Sequence, residues 1–186
     1  VPTPSPRLRT SIIAVALAAS LLVLPACSKK SSTSTSAAGA SPTSSADQIK
    51  FAKTKFVANA GLGAGAAYQW LYKPFKAGTF RSGASGRTAA LVKGALAAAF
   101  TYNRLKAALN DAKGDPTLSK ATDALQSSVD SIKSLPSKIK GGTATDADFN
   151  QAQAVVAGVK QAGAQNGLNI TDQVPSASQL TQMVTS

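Results

Sequence analysis

Residues 47–186 predict an all-α fold, an antiparallel bundle of about four helices, and three observations carry that expectation. Apolar side chains recur at three- and four-residue steps in four successive segments. Gly, Pro or a capping residue punctuates each segment. No alternating β-branched run competes for a sheet. Helices joined by short connections become antiparallel neighbours, and a unit of this length can bury a real core.

The chain ahead of that unit is organised differently. Arg7 and Arg9 form a positively charged n-region, followed by an apolar, Ala- and Leu-rich run over residues 12–24. The run is short for a spanning helix, and the layout is that of a secretory signal peptide. It ends in "LPAC", with Cys27 last. The tetrapeptide resembles the lipobox of bacterial lipoprotein precursors, although Pro25 is a less usual occupant of its position. The resemblance covers residues 7–27. It implies that residues 1–26 are removed and that the Cys27 thiol is acylated, anchoring the chain to the extracytoplasmic face of the cell membrane. Cys27 is the only cysteine, so no internal disulfide can form. Several acyl chains meet the two-signal requirement for stable anchoring. Residues 27–46 are rich in Ser and Thr without apolar periodicity, and they read as a flexible tether spanning roughly 25 Å.

The first helix covers residues 49–71. Ile49, Ala52, Phe56, Ala60, Gly63, Ala67, Trp70 and Leu71 make one apolar stripe. Ser45 or Asp47 can cap its start, and Pro74 ends or kinks it. A Gly- and Ser-rich connection, "KPFKAGTFRSGASGR", follows. The second helix runs over residues 88–112, with Leu91, Ala95, Ala98, Ala99, Tyr102, Leu105 and Leu109 inward, and stops at "KGDP". Leu118, Ala121, Leu125, Val129, Ile132 and Leu135 define the third, which ends near Pro136 or the Gly141 and Gly142 pair. The fourth starts at a Thr145/Asp146 cap, buries Phe149, Ala152, Val156 and Val159, and ends before Asn166 and Gly167. A short fifth helical turn fits residues 179–184.

Within the first helix, "GLGAGAAYQWLY" admits three readings. A dinucleotide fingerprint needs a preceding strand, a third glycine and an acid about 20 residues on. Ala66 occupies the third position, and no acid lies between Asp47 and Asp111, so the cofactor reading fails. A membrane span needs about 20 apolar residues. The uncharged run 56–72 is shorter and contains Asn59, Gln69 and three glycines. Packing remains, with Gly61 and Gly65 one turn apart admitting a close neighbour. The Ala-rich "GALAAAF" of the second helix is the expected one.

Composition excludes several chemistries. The chain has no histidine, and all eight of its acids are Asp. Ser-His-Asp and Cys-His catalysis are therefore impossible, and no His- or Cys-based metal site can be built. Capping accounts for the Asp146/Asp148 pair and solvated ion pairing for Asp123/Asp130, while Asp111 and Asp115 flank a helix end. The expectation is a protein that is not an enzyme and carries no metal or cofactor.

Charge points to partners instead. The formal net charge is +12, with twelve Lys or Arg and one acid over residues 29–106, against six Lys and seven Asp beyond. Seven of the ten aromatics lie within residues 51–80, interleaved with cations. Single-stranded nucleic-acid binders use that pattern, and so do interfacial membrane contacts. For an anchored, exported domain the expected partners are anionic lipid headgroups, acidic cell-wall polymers or another envelope protein, rather than nucleic acid. The candidate docking residues are Lys50, Lys53, Lys73, Lys76 and Arg81, and the expected role is structural or accessory. The competing expectation is a lipoprotein that binds a small molecule or peptide in an inter-helix crevice lined by Tyr68, Trp70, Tyr72 and Tyr102.

Overall fold

The computed structural model describes residues 45–182. The signal peptide, Cys27, nearly all of the tether and the end of the expected fifth turn lie outside the described residues. Among the described residues there is no strand, and the helices pack on one another as the periodicity requires. Helix α1 is Ser45–Ala66, and it runs through a π-helical turn, Ala67–Tyr72, into α2, Lys73–Lys76. Helix α3 is Arg87–Ala112. A 3₁₀ turn at Ser119–Ala121 leads into α4, Thr122–Ser131. Then come α5 (Leu135–Lys140), α6 (Asp146–Gln165) and α7 (Ala177–Gln182).

Helix α3 occupies the centre, against α1 most extensively and also against α4, α5 and α7. Phe56, Phe100, Leu105, Leu109, Val129, Ile139, Val159 and Leu180 form the fully buried part of the core. Because α3 has neighbours on several sides, its buried arc is wider than one stripe. Phe100 and Thr101 are enclosed, while Ala95, Ala99 and Tyr102, expected inward, are only partly covered.

Pro74 does not stop the first helix. Its ring cannot donate a hydrogen bond and would strike the carbonyl four residues back in a regular α-helix. The π-turn widens the backbone just ahead of it, and the Lys73 amide donates to the Tyr68 carbonyl five residues back. The helix then continues to Lys76, and Gly78, at φ 70°, turns the chain away. Pro136 acts in the opposite sense. The chain breaks over residues 132–134 and restarts as α5 with Pro136 in its first turn, so the expected third helix is two helices. Helix α6 opens with a capping box, the Thr145 amide donating to Asp148 Oδ2 at 2.8 Å.

The glycines of α1 do admit a close neighbour, but not the expected one. Gly63 faces α3, where an added Cβ would lie 3.1 Å from Leu105 Cδ2. Gly61 and Gly65 instead receive an extended segment, residues 168–176. A Cβ at Gly61 would sit 2.5 Å from the Thr171 carbonyl oxygen, and one at Gly65 would overlap the Gln173 backbone. The Gln173 amide donates to the Gly61 carbonyl at 2.9 Å, and Trp70 Nε1 donates to the Pro175 carbonyl at 3.1 Å. This strap fills the space that the missing side chains leave.

Candidate functional site

The five candidate docking cations do not form one patch. Lys50 and Lys53 lie near the start of α1, while Lys73, Lys76 and Arg81 lie on α2 and the loop after it. At 1.5 Å per residue, roughly 30–35 Å of helix separates the two groups.

At the α1 start, Lys50 is exposed. Lys55 lies 4.3 Å from the ring centroid of Phe51, itself an exposed aromatic. Lys53 is committed to a structural bond, with its ammonium 3.4 Å from the buried Asp115 carboxylate. Burial by itself would raise the Asp115 carboxyl. The Thr117 hydroxyl, the amides of Leu118 and Thr117, and the Lys53 charge outweigh it and hold the group at about 2. Asp115 thereby caps the turn that opens with Pro116. Close by, Asn59 links α1 to α3, donating to Asp111 at 2.7 Å and accepting from Arg104 at 2.9 Å. Lys53 is therefore better described as a lock on the bundle than as a docking residue.

The α2 end is arranged for solvent. Tyr68 and Tyr72 stack with centroids 5.9 Å apart. Lys73 lies 5.2 Å over the Tyr68 ring, and Lys76 lies 5.7 Å over that of Tyr72. Lys73, Lys76 and Arg81 are exposed, and among the described residues none of the three forms an ion pair. Beneath them, Phe75 and Phe80 both stack on Phe149 of α6, at 4.5 and 5.3 Å. The loop aromatics thus hold the connection against α6 instead of projecting outward. A polar cleft of about 340 Å³ lies over this stack, lined by Phe75, Lys76, Arg81, Asp146 and Asn150.

The four-aromatic crevice is not assembled. Trp70 turns to the strap, and the Tyr102 hydroxyl donates to Asp130 of α4 at 3.1 Å. Only Tyr68 and Tyr72 meet, beside an open groove of about 210 Å³ whose other walls are Ala64, Ala67, Gln153, Val156, Ala157, Lys160 and Asp172. Val156, expected inward, is half-buried on the groove while Val155 is enclosed, and sequence reasoning missed Gln153, Lys160 and Asp172. The three-residue step between Gln153 and Val156 put both on one face of α6, whereas no local pattern marks Asp172 on the strap.

Asp148 and Asp130, like Asp111 and Asp115, are occupied structurally. Asp148 accepts from Lys138 at 2.6 Å as well as from the Thr145 cap, which together hold it at about 2 against the effect of burial. The Gln126 amide chiefly, with the Tyr102 hydroxyl, lowers Asp130 below the usual carboxylate range. Among the described residues no three potential metal ligands converge. No helix there is long and apolar enough to cross a membrane. The sequence matches no protein-family model, no curated protein and no solved structure.

Proposed function

We propose that this chain is a non-catalytic envelope lipoprotein, held at the extracytoplasmic face of the cell membrane through acylated Cys27. The α2 end of its helical bundle docks on an anionic surface, acidic wall polymer or lipid headgroups. The observation that carries this reading is the exposure of Lys73, Lys76 and Arg81 together, without ion-pair partners among the described residues. Unneutralised cations grouped at one end of a low-dielectric body focus a positive field that attracts polyanions. Each such charge near an anionic membrane is worth about 1 kcal/mol, so three give useful but reversible, salt-sensitive binding.

Co-sedimentation of the protein with isolated cell-wall material, anionic vesicles and neutral vesicles at rising salt tests the reading. Salt-sensitive binding to either anionic surface supports it, and the surface preferred distinguishes wall polymer from lipid headgroups. Failure to bind both anionic surfaces at low salt removes it and leaves Cys27 as the membrane contact.

A further inference from the structure

The groove beside the π-turn has a composition that charge alone does not require. Its floor is aliphatic, with Val156 and neighbouring alanines, and one wall is the Tyr68–Tyr72 stack. Polar groups stand at its rim: the Gln153 amide and the Lys160–Asp172 ion pair, 2.8 Å apart. That set supplies both donors and acceptors around an apolar, aromatic surface.

An acyl chain would need a longer apolar channel without three polar groups at its edge. A flat aromatic hydrocarbon would offer no partner to the polar groups of Gln153, Lys160 and Asp172. A pyranose fits both halves of the chemistry. Its C–H face lies on an aromatic ring, and its peripheral hydroxyls each donate and accept. A groove of about 210 Å³ is below the usual range for drug-sized ligands and open to solvent, which suits one unit of a longer chain. Within the groove Lys160 is balanced by Asp172, but Lys73 and Lys76 stand over the two tyrosine rings just outside it, where they meet the charge of a chain that runs past. The favoured sugar is consequently an acidic one.

We infer that this groove binds one residue of an acidic polysaccharide, its ring on the exposed tyrosine and its hydroxyls toward Gln153, Lys160 and Asp172. Such a site presupposes the cationic docking face proposed for the α2 end and adds a sugar-specific contact to it. The rim is held in place before any ligand arrives. The strap carrying Asp172 is fixed to α1 and the π-turn by the Gln173–Gly61 and Trp70–Pro175 hydrogen bonds.

The test is calorimetric titration of the full chain, in mild detergent, with oligogalacturonate, with maltooligosaccharide of equal length, and with polyphosphate of equal charge. Oligogalacturonate is expected to bind more tightly than polyphosphate. Tyr68→Ala is expected to weaken oligogalacturonate binding at least about fivefold while leaving polyphosphate within about twofold. Tyr68 is 46 % exposed, so its truncation spares the core. Gln153→Ala, at a second exposed position, is expected to act in the same direction. If both variants bind oligogalacturonate like the unmodified chain, while Lys73→Gln with Lys76→Gln abolishes binding of both polyanions, the sugar site is wrong and the docking face stands. If neither polyanion binds the unmodified chain, both are wrong.

Discussion

The two ends of the α1–α2 rod contain similar residues, lysines among aromatics, but only the first commits one of them to a buried carboxylate. Near Ser45, Lys53 turns inward to a carboxylate that is almost fully enclosed, and the Arg104–Asn59–Asp111 relay ties α1 to α3. At Lys73 and Lys76 the ammonium groups ride over tyrosine rings at the surface with no carboxylate among the described residues within ion-pair distance. The acids decide the difference. Asp111 and Asp115 lie at the C-terminal end of α3, and antiparallel packing brings that end to the start of α1. At the other end the only acid lining the cleft is Asp146. A cation's role in this chain is set by where α3 delivers its aspartates.

That contrast can be broken by substitution. The largest effect is expected from Lys73→Gln, Lys76→Gln and Arg81→Gln combined. Loss of three charges worth about 1 kcal/mol each should weaken binding to the preferred anionic surface roughly a hundredfold at low salt, with thermal stability unchanged. The next is Asp115→Ala, which removes a buried cap and leaves Lys53 facing an empty site. It should cost about 2–3 kcal/mol in urea unfolding and leave surface binding intact.

Acid sharpens the same point. Asp115 titrates at about 2 in the folded chain, below an ordinary aspartate, so on acidification the unfolded chain takes up the proton first. The stability it supplies, about 2 kcal/mol, is complete above pH ~4 and is lost as pH falls through 2. Asp148 contributes with the same sign. Unfolding measured from pH 5 to 2 should therefore show a decline that is shallower in Asp115→Asn. The smallest effect belongs to Lys53→Gln. Its side chain is one-third exposed, so it should cost less than about 1 kcal/mol, and binding should change by less than about threefold.

The helices were legible because one side of each must be apolar whatever it packs against. Ala52, Phe56 and Ala60 on α1, Leu105 and Leu109 on α3, and Phe149 and Val159 on α6 are all buried where their spacing put them. The departures share one physical cause, which is a partner far away in sequence. Pro74 reads as a helix stop or kink in isolation, and only the π-turn ahead of it carries the helix onward. Gly61 and Gly65 signal a close approach, but the strap that makes it has no periodicity to announce it. Phe75 and Phe80 look like loop aromatics until Phe149 is brought between them. For the candidate site, the basic and aromatic composition of residues 68–81 was legible. The division between a locked Lys53 and exposed Lys73, Lys76 and Arg81 depends on which residues face Asp115, which no local pattern encodes.

The most direct test compares two triple variants of equal charge. One carries Lys73→Gln, Lys76→Gln and Arg81→Gln at the α2 end. The other carries Lys113→Gln, Lys120→Gln and Lys133→Gln at exposed positions elsewhere. The affinity of each for the preferred anionic surface is measured across a salt series. A localised docking face requires the first variant to lose most of its affinity and salt dependence, and the second to stay within about threefold of the unmodified chain. Equal losses in the two would mean that net charge alone attracts the protein, and the α2 end would have no special role.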